Sequence, residues 1–269
     1  MDIVIQGGLY PATIQTAKSY SDFLGVDKVI VSCWEGDEIS DSDQELLERT
    51  DNIILLGNEK PDYVGPGNLN LHIVSSQNGI KETTSDVVMK IRSDQRLYHS
   101  AFQKWNECVT KGLNETPMPR LDGSSPKGKV FVIGMNYEKP YHPQDHIFWG
   151  HREDVYSVFD IPFSNEPPLP PEKNGKIDFS VNSGNLRNPI YIGMHYFSRF
   201  SEEAKNHAEN YKEYLLDSAP KWDVAMENYE KTRDSIFKIL PRIDDCMWWE
   251  KFNSGYWYDV YHRYGERYE

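Results

Sequence analysis

Residues 87–96 read VVMKIRSDQR, a β-branched apolar run that breaks into a cluster of charges. A buried strand with this ending carries the Arg92 guanidinium and the Asp94 carboxylate to one edge of a sheet, and open α/β folds bind their ligands at the carboxyl ends of the strands. That edge is the place to expect a metal and a phosphate. A plainer reading makes Asp94 the cap of a helix that starts near Leu97, so the segment has to be weighed with the rest of the chain.

Strand-like and helix-like stretches alternate around it. Ile3-Val4-Ile5, Lys28 to Cys33 and Asn52 to Leu56 read as strands, with a helix from about Thr13 to Phe23 between the first two. Asn70 to Asn78 reads as a helix stopped at Gly79, and Val87 to Ile91 and Val130 to Gly134 as further strands. This βαβ rhythm predicts a largely parallel central sheet flanked by helices. After Phe163 the texture changes. Asn165 to Lys173, with four prolines, reads as a surface connection, Ile190 to Phe197 is apolar, and helical periodicity prevails from Ser201 onward. Trp248, Trp249, Phe252, Tyr256, Trp257, Val260, Tyr261 and Tyr264 recur near helical spacing and predict a helix with one aromatic side. The expectation is a single α/β domain, its core over residues 1–163 and a helical, aromatic-rich extension over 164–269.

With 269 residues and 38% hydrophobic content the chain can bury a sizeable core. A formal charge of -13 disfavours a nucleic-acid partner, which would need a basic surface to displace counterions. Cys33, Cys108 and Cys246 are odd in number and far apart, which fits reduced thiols rather than a disulfide framework. A strand already at Asp2 to Gln6 leaves no room for a signal peptide, and no apolar run approaches the ~20 residues of a membrane span. A cytoplasmic protein without a transmembrane segment is expected.

Familiar signatures are absent. Gly7-Gly8-Leu9-Tyr10-Pro11 after the first strand is neither a dinucleotide fingerprint nor a Walker loop. No G-x-S-x-G elbow occurs, and His142, His146 and His151 lack the H-E-x-x-H spacing of a zinc site.

The order of four segments is more telling. Ile3-Val4-Ile5-Gln6-Gly7, then Val29-Ile30-Val31-Ser32-Cys33-Trp34-Glu35-Gly36, then Lys90-Ile91-Arg92-Ser93-Asp94, then Asp145-His146-Ile147-Phe148-Trp149-Gly150-His151 resembles the WavE-type lipopolysaccharide synthesis family over residues 2–163. Members are read as glycosyltransferases and include virus-encoded relatives, which would work in the host cytoplasm. The resemblance implies a GT-A-like fold and a metal-dependent transfer of a hexosyl or deoxyhexosyl group. The donor would be a nucleotide diphosphate sugar, a UDP-sugar favoured, and the acceptor a hydroxyl of a growing glycan. Asp94 would hold Mn²⁺ or Mg²⁺, with His195 a further ligand, and Arg92 would contact the leaving diphosphate. Gln6 and Gly7 would lie beside the nucleobase, Trp34 would stack on it and Glu35 would accept from the ribose. Asn70 would face the donor or cap its helix. In an inverting enzyme Asp145 would take the acceptor proton, with His146 as its stand-in, and in a retaining one Asp145 would orient the acceptor or stabilise positive charge. Two alternatives stay open. A sugar nucleotidyltransferase would be expected to carry a basic loop after the first strand, whereas Gly7 to Thr16 has no Lys or Arg. A non-catalytic glycan-binding or scaffold protein would use the aromatic tail.

Overall fold

The computed structural model describes residues 1–137, 139–165, 188–214, 220–243, 246–250 and 254–255. Every residue of β1 (Asp2–Gln6) is buried, as are all but the first of β2 (Lys28–Trp34). Strands without polar alternation have to be covered on both faces. β1 lies between β2 and β4 (Val87–Arg92), parallel to both, so that Gln6 stands level with Ser32 and Arg92. β3 (Ile53–Asn58) extends the parallel half beyond β2.

On the other side of β4 the direction reverses. β7 (Ile147–His151) is antiparallel to β4, β6 (Val130–Val132) is antiparallel to β7, and β8 (Phe237–Ile239) is parallel to β6. The seven-stranded order is β3-β2-β1-β4-β7-β6-β8, largely parallel as expected. A separate small sheet joins β5 (Gln95–Leu97), β9 (Met247–Trp249) and β10 (Ser254–Gly255).

Helices cover both faces. Ile3, Ile5, Val29, Val31, Met89 and Ile91 pack against α1 (Thr13–Ser21) and α4 (His99–Gly112). Val4, Ile30 and Val88, on the opposite face, pack with α3 (Leu69–Lys81), α5 (Arg152–Phe159), α6 (Asn188–Phe197) and α9 (Trp222–Ile236). α2 (Asp41–Glu48), α7 (Glu202–Glu209) and α8 (Tyr211–Tyr214) complete the α-helices among the described residues, and a 3-10 turn at Pro66–Asn68 leads into α3. α7 starts where Ser201 Oγ accepts from the Ala204 amide at 3.2 Å, with Glu202 and Glu203 in its first turn to favour the dipole.

Several expectations change. The helix after β4 begins at His99, because Gln95 to Leu97 pair with β9 first, and Asp94 is therefore not its cap. Ile190 to Phe197 form the helix α6. Trp248 and Trp249 lie in a strand, while Phe252, Tyr256, Trp257, Val260, Tyr261 and Tyr264 fall outside the described residues, as do positions 166–173 of the proline-rich stretch. The aromatic content of the C-terminal helices resides in side chains such as Tyr191, Tyr196, Phe197, Tyr214 and Tyr229.

α3 runs through Gly79 rather than stopping there. A Cβ on this residue would stand 2.5 Å from Val4 Cγ1 and 2.9 Å from Ser32 Cβ, so the missing side chain is what lets the helix lie directly on β1 and β2. In an open helix Gly→Ala gains about 1 kcal/mol. Here Gly79→Ala is expected to lose roughly 1–3 kcal/mol through overpacking, read as a lower urea midpoint. A raised midpoint would show that α3 does not sit this close to the sheet.

Candidate active site

The carboxyl ends of β1, β2 and β4 open into a polar cleft of about 250 Å³. Its floor is made by Gln6, Gly7 and Arg92-Ser93-Asp94, and Trp34 and Tyr10 form one wall. The strand ends are stitched together: the Ser93 amide donates to Gln6 O at 2.9 Å and Ser93 Oγ to Gly8 O at 2.7 Å. Gly7 has φ +120°, and a Cβ there would stand 2.8 Å from Ser93 Oγ, so glycine is required for the close turn. Asp37 Oδ2 accepts from the amides of Leu9 at 3.0 Å and Trp34 at 3.3 Å, fixing the glycine loop against Trp34.

The opposite wall belongs to α3 and its approach. Gly67 and Asn68 both take positive φ, Leu71 and His72 follow on the cleft side of the helix, and Asn188 Nδ2 donates to Gly67 O at 2.7 Å. Below this wall Gln6 Nε2 donates to Ser75 Oγ at 3.0 Å, which orients the amide.

Beneath the cleft lies a cluster of buried charge. Arg92 grips Asp94 in a fork, Nε to Oδ1 at 2.9 Å and Nη2 to Oδ2 at 2.8 Å, and the indole N–H of Trp249 donates to Oδ2 at 2.9 Å. Arg92 Nη1 reaches Asp145 Oδ2 at 3.4 Å, and the guanidinium lies 5.7 Å from the Trp249 ring centre. Lys90 Nζ, fully buried, donates to Asp145 O at 3.0 Å and meets His72 Nε2 at 2.8 Å. That leaves the proton of a neutral His72 on Nδ1, 3.6 Å from Asp145 Oδ2.

Burial sets the protonation states. It drives His72 well below the ordinary imidazole range, with Lys90 adding to the effect, and brings Lys90 itself down to about 7. Burial would raise Asp145, but Arg92, His146, His72 and Lys90 together hold it well below the usual carboxylate range. A carboxylate held so low is a weak proton acceptor. Asp94 is likewise lowered, burial being outweighed by Arg92 and Trp249.

Of the residues singled out from the sequence, Gln6, Gly7, Trp34, Arg92 and Asp94 meet in the cleft. Asp145 lies directly behind Arg92 and His72. His146 is half-buried with its ring edge-on to Trp249 at 4.9 Å, and desolvation lowers it to about 4. Glu35 is exposed and outside the lining, and Asp37 occupies the structural position beside Trp34. Asn70 neither caps α3 nor lines the cleft. Asn68 holds the cap position, while the Asn70 side chain donates to Tyr63 O at 2.9 Å and Ser164 O at 3.0 Å and accepts from Ser164 N at 2.8 Å. His195 lies on α6 against Tyr191, ring centres 4.4 Å apart, also outside the lining.

A divalent cation fits this donor set poorly. Asp94 is 1% exposed and its two oxygens already take three hydrogen bonds, two of them from a cation. Among the described residues no group of three or more His, Cys, Asp or Glu side chains is placed to hold a metal ion. No helix among them is long and apolar enough to cross a membrane.

Sheet order and cleft define an α/β protein with a polar cleft at the ends of its parallel strands, the place where open α/β folds bind ligands. The chain belongs to the WavE lipopolysaccharide synthesis family, whose model matches residues 2–230, well past residue 163, where the resemblance read from the motifs ends. No curated protein matches it. Among solved structures, S. aureus TarS 1-349 in complex with UDP is similar at 12% identity, over 74% of this chain and 56% of that one, with a TM-score of 0.42. HddC from Yersinia pseudotuberculosis complexed with GMP-PN is similar at 13% identity over 60% and 80%, with a TM-score of 0.38. An active-site mutant of LgtC is similar at 14% identity over 57% and 58%, with a TM-score of 0.34. At these identities the likeness concerns the fold.

The buried lysine gives the site a pH signature. Lys90 has its pKa lowered to about 7 in the native state, against about 10.4 when unfolded, so between these values the unfolded chain binds more protons and stability rises with pH. Between pH 7 and 9 the unfolding free energy of the native sequence is expected to climb more steeply than that of Lys90→Met, by up to about 1.4 kcal/mol per pH unit. Equal slopes in urea titrations would mean that Lys90 keeps an ordinary pKa.

Proposed function

We propose that the protein is a glycosyltransferase that moves a sugar from a nucleotide diphosphate donor to a hydroxyl of a growing glycan. The observation that carries this reading is the Arg92 guanidinium on the floor of a polar cleft at the ends of parallel strands. Membership of a lipopolysaccharide synthesis family supports the glycan acceptor. The lack of any Lys or Arg in Gly7 to Thr16 disfavours a sugar nucleotidyltransferase.

In this reading the nucleobase stacks on Trp34 and the diphosphate meets Arg92 and the start of α3, where the helix dipole favours negative charge. Gln6 Nε2 gives one of its two protons to Ser75 Oγ, and in this reading the side-chain carbonyl, not the second N–H, is turned to the base. Uracil offers a ring N–H there and cytosine a ring acceptor, so a UDP-sugar is favoured over a CDP-sugar. As the acceptor oxygen bonds to the anomeric carbon, the bond from that carbon to the diphosphate oxygen breaks, the departing charge falls to Arg92 and the hydroxyl proton passes to the released diphosphate. Asp145, kept ionised, holds the guanidinium from behind.

A thermal-shift panel of UDP, GDP, CDP and ADP tests the donor class. UDP at a hundred times its Kd is expected to raise the melting midpoint by about 5–10 °C. CDP should give little change, and Arg92→Ala at the same UDP concentration a clearly smaller shift than the native sequence. No response to any of the four would overturn the reading. With an active UDP-sugar in hand, Asp145→Asn is expected to raise the donor KM more than it lowers kcat. An unchanged KM with a kcat loss of about 10²-fold or more would instead make Asp145 the proton acceptor.

A further inference from the structure

We infer that Arg92 binds the donor diphosphate in place of a divalent cation, and that Asp94 is the positioning residue that aims it. The inference rests on the nucleotide diphosphate reading above. A strand-end aspartate serving a metal has to present carboxylate lone pairs to the ligand. Asp94 presents its carboxylate to protein donors instead, two from Arg92 and one from Trp249, at 1% exposure. The other charged residue at this strand end is Arg92 itself, so no second acid at the end of β4 shares a cation with Asp94, and a cation bound to Asp94 would meet a guanidinium about 3 Å away.

The guanidinium, by contrast, has capacity to spare. Of its five N–H groups, the fork on Asp94 takes the Nε proton and one on Nη2, and the long contact to Asp145 takes one on Nη1. Two are left, one on each terminal nitrogen, which is the pair that grips two phosphate oxygens at once. The side chain keeps 26% of its surface exposed and lines the cleft, so this charge is open to a ligand in a way that Asp94 is not. Asp94 on one edge, Asp145 behind and the Trp249 ring fix its plane before any ligand arrives. A preorganised cation needs no rearrangement when charge develops on the leaving oxygen.

Isothermal titration of the full chain with UDP, once in excess EDTA and once in Mn²⁺, tests this without depending on any variant. The expected result is the same Kd in both within about twofold. A Kd weakened roughly 10- to 100-fold is expected in Arg92→Ala under both conditions, with partial recovery in Arg92→Lys. Asp94→Asn, which loosens the fork, should weaken binding equally with and without Mn²⁺. Binding seen only with Mn²⁺ and lost in Asp94→Asn would overturn the inference and leave the donor reading standing. No binding of UDP, GDP, CDP or ADP in either condition would overturn both.

Discussion

The parallel pairing of β1 with β2 on one side and β4 on the other is the constraint from which the rest follows. With both edges paired and both faces under helices, three strands must end at one edge of the sheet, and Gln6, Ser32 and Arg92 arrive there in register. Alternation along each strand does the remaining work. Lys90 and Arg92 are two residues apart and so face the same way as Val88, toward α3, and Gln6 and Ser32 continue the face begun by Val4 and Ile30. This face is apolar in the middle of the sheet and polar at its end, where Ser75 and His72 lie over it. Core and site are successive stretches of one surface.

The cost of such a site is buried charge. Removing a guanidinium, an ammonium and two carboxylates from water is unfavourable unless each finds a partner. Here every charge has at least one: Arg92 serves both acids, and Lys90 is satisfied by His72 and a main-chain carbonyl. The cluster stabilises little for its size, and all its members are bonded. Burial makes His72 neutral and brings Lys90 down to about 7, so Arg92 stands as the settled cation at the cleft.

Much of this was legible in the chain. The strands β1 to β4 are visible as apolar runs, and the polar break Arg92-Ser93-Asp94 marks the functional edge. Lys90 carried an unused signal, since a lysine inside VVMKIR on a strand buried on both faces has to find a buried partner. His72 belongs to a stripe with Asn68, Leu71 and Ser75 at helical spacing that faces the cleft. Other parts could not be read. Asn188 reaches Gly67 across 121 positions, and Trp249 reaches Asp94 only because β5 and β9 pair, a contact that no local pattern encodes. Gly79 misled for a physical reason: glycine ends helices where φ turns positive, but here its smallness serves packing.

The bond between Trp249 and Asp94 spans 155 residues and sets an order of events in the life of the molecule. On the ribosome, β1 to β4 can pair while Asp94 is still open to water, and the lid over its carboxylate arrives only when residues 247–249 have emerged. Loops of that length close late, because contacts between distant positions carry the largest entropy cost. The parts of the site therefore wait on different stretches of chain: the ends of β1, β2 and β4 on residues 2–94, and Asn188 in the wall and Trp249 over the Arg92 fork on segments made much later. Until β9 is made, Asp94 lacks the indole donor and the core lacks Met247 and Trp249, so its arrival completes the site and the packing beneath it together.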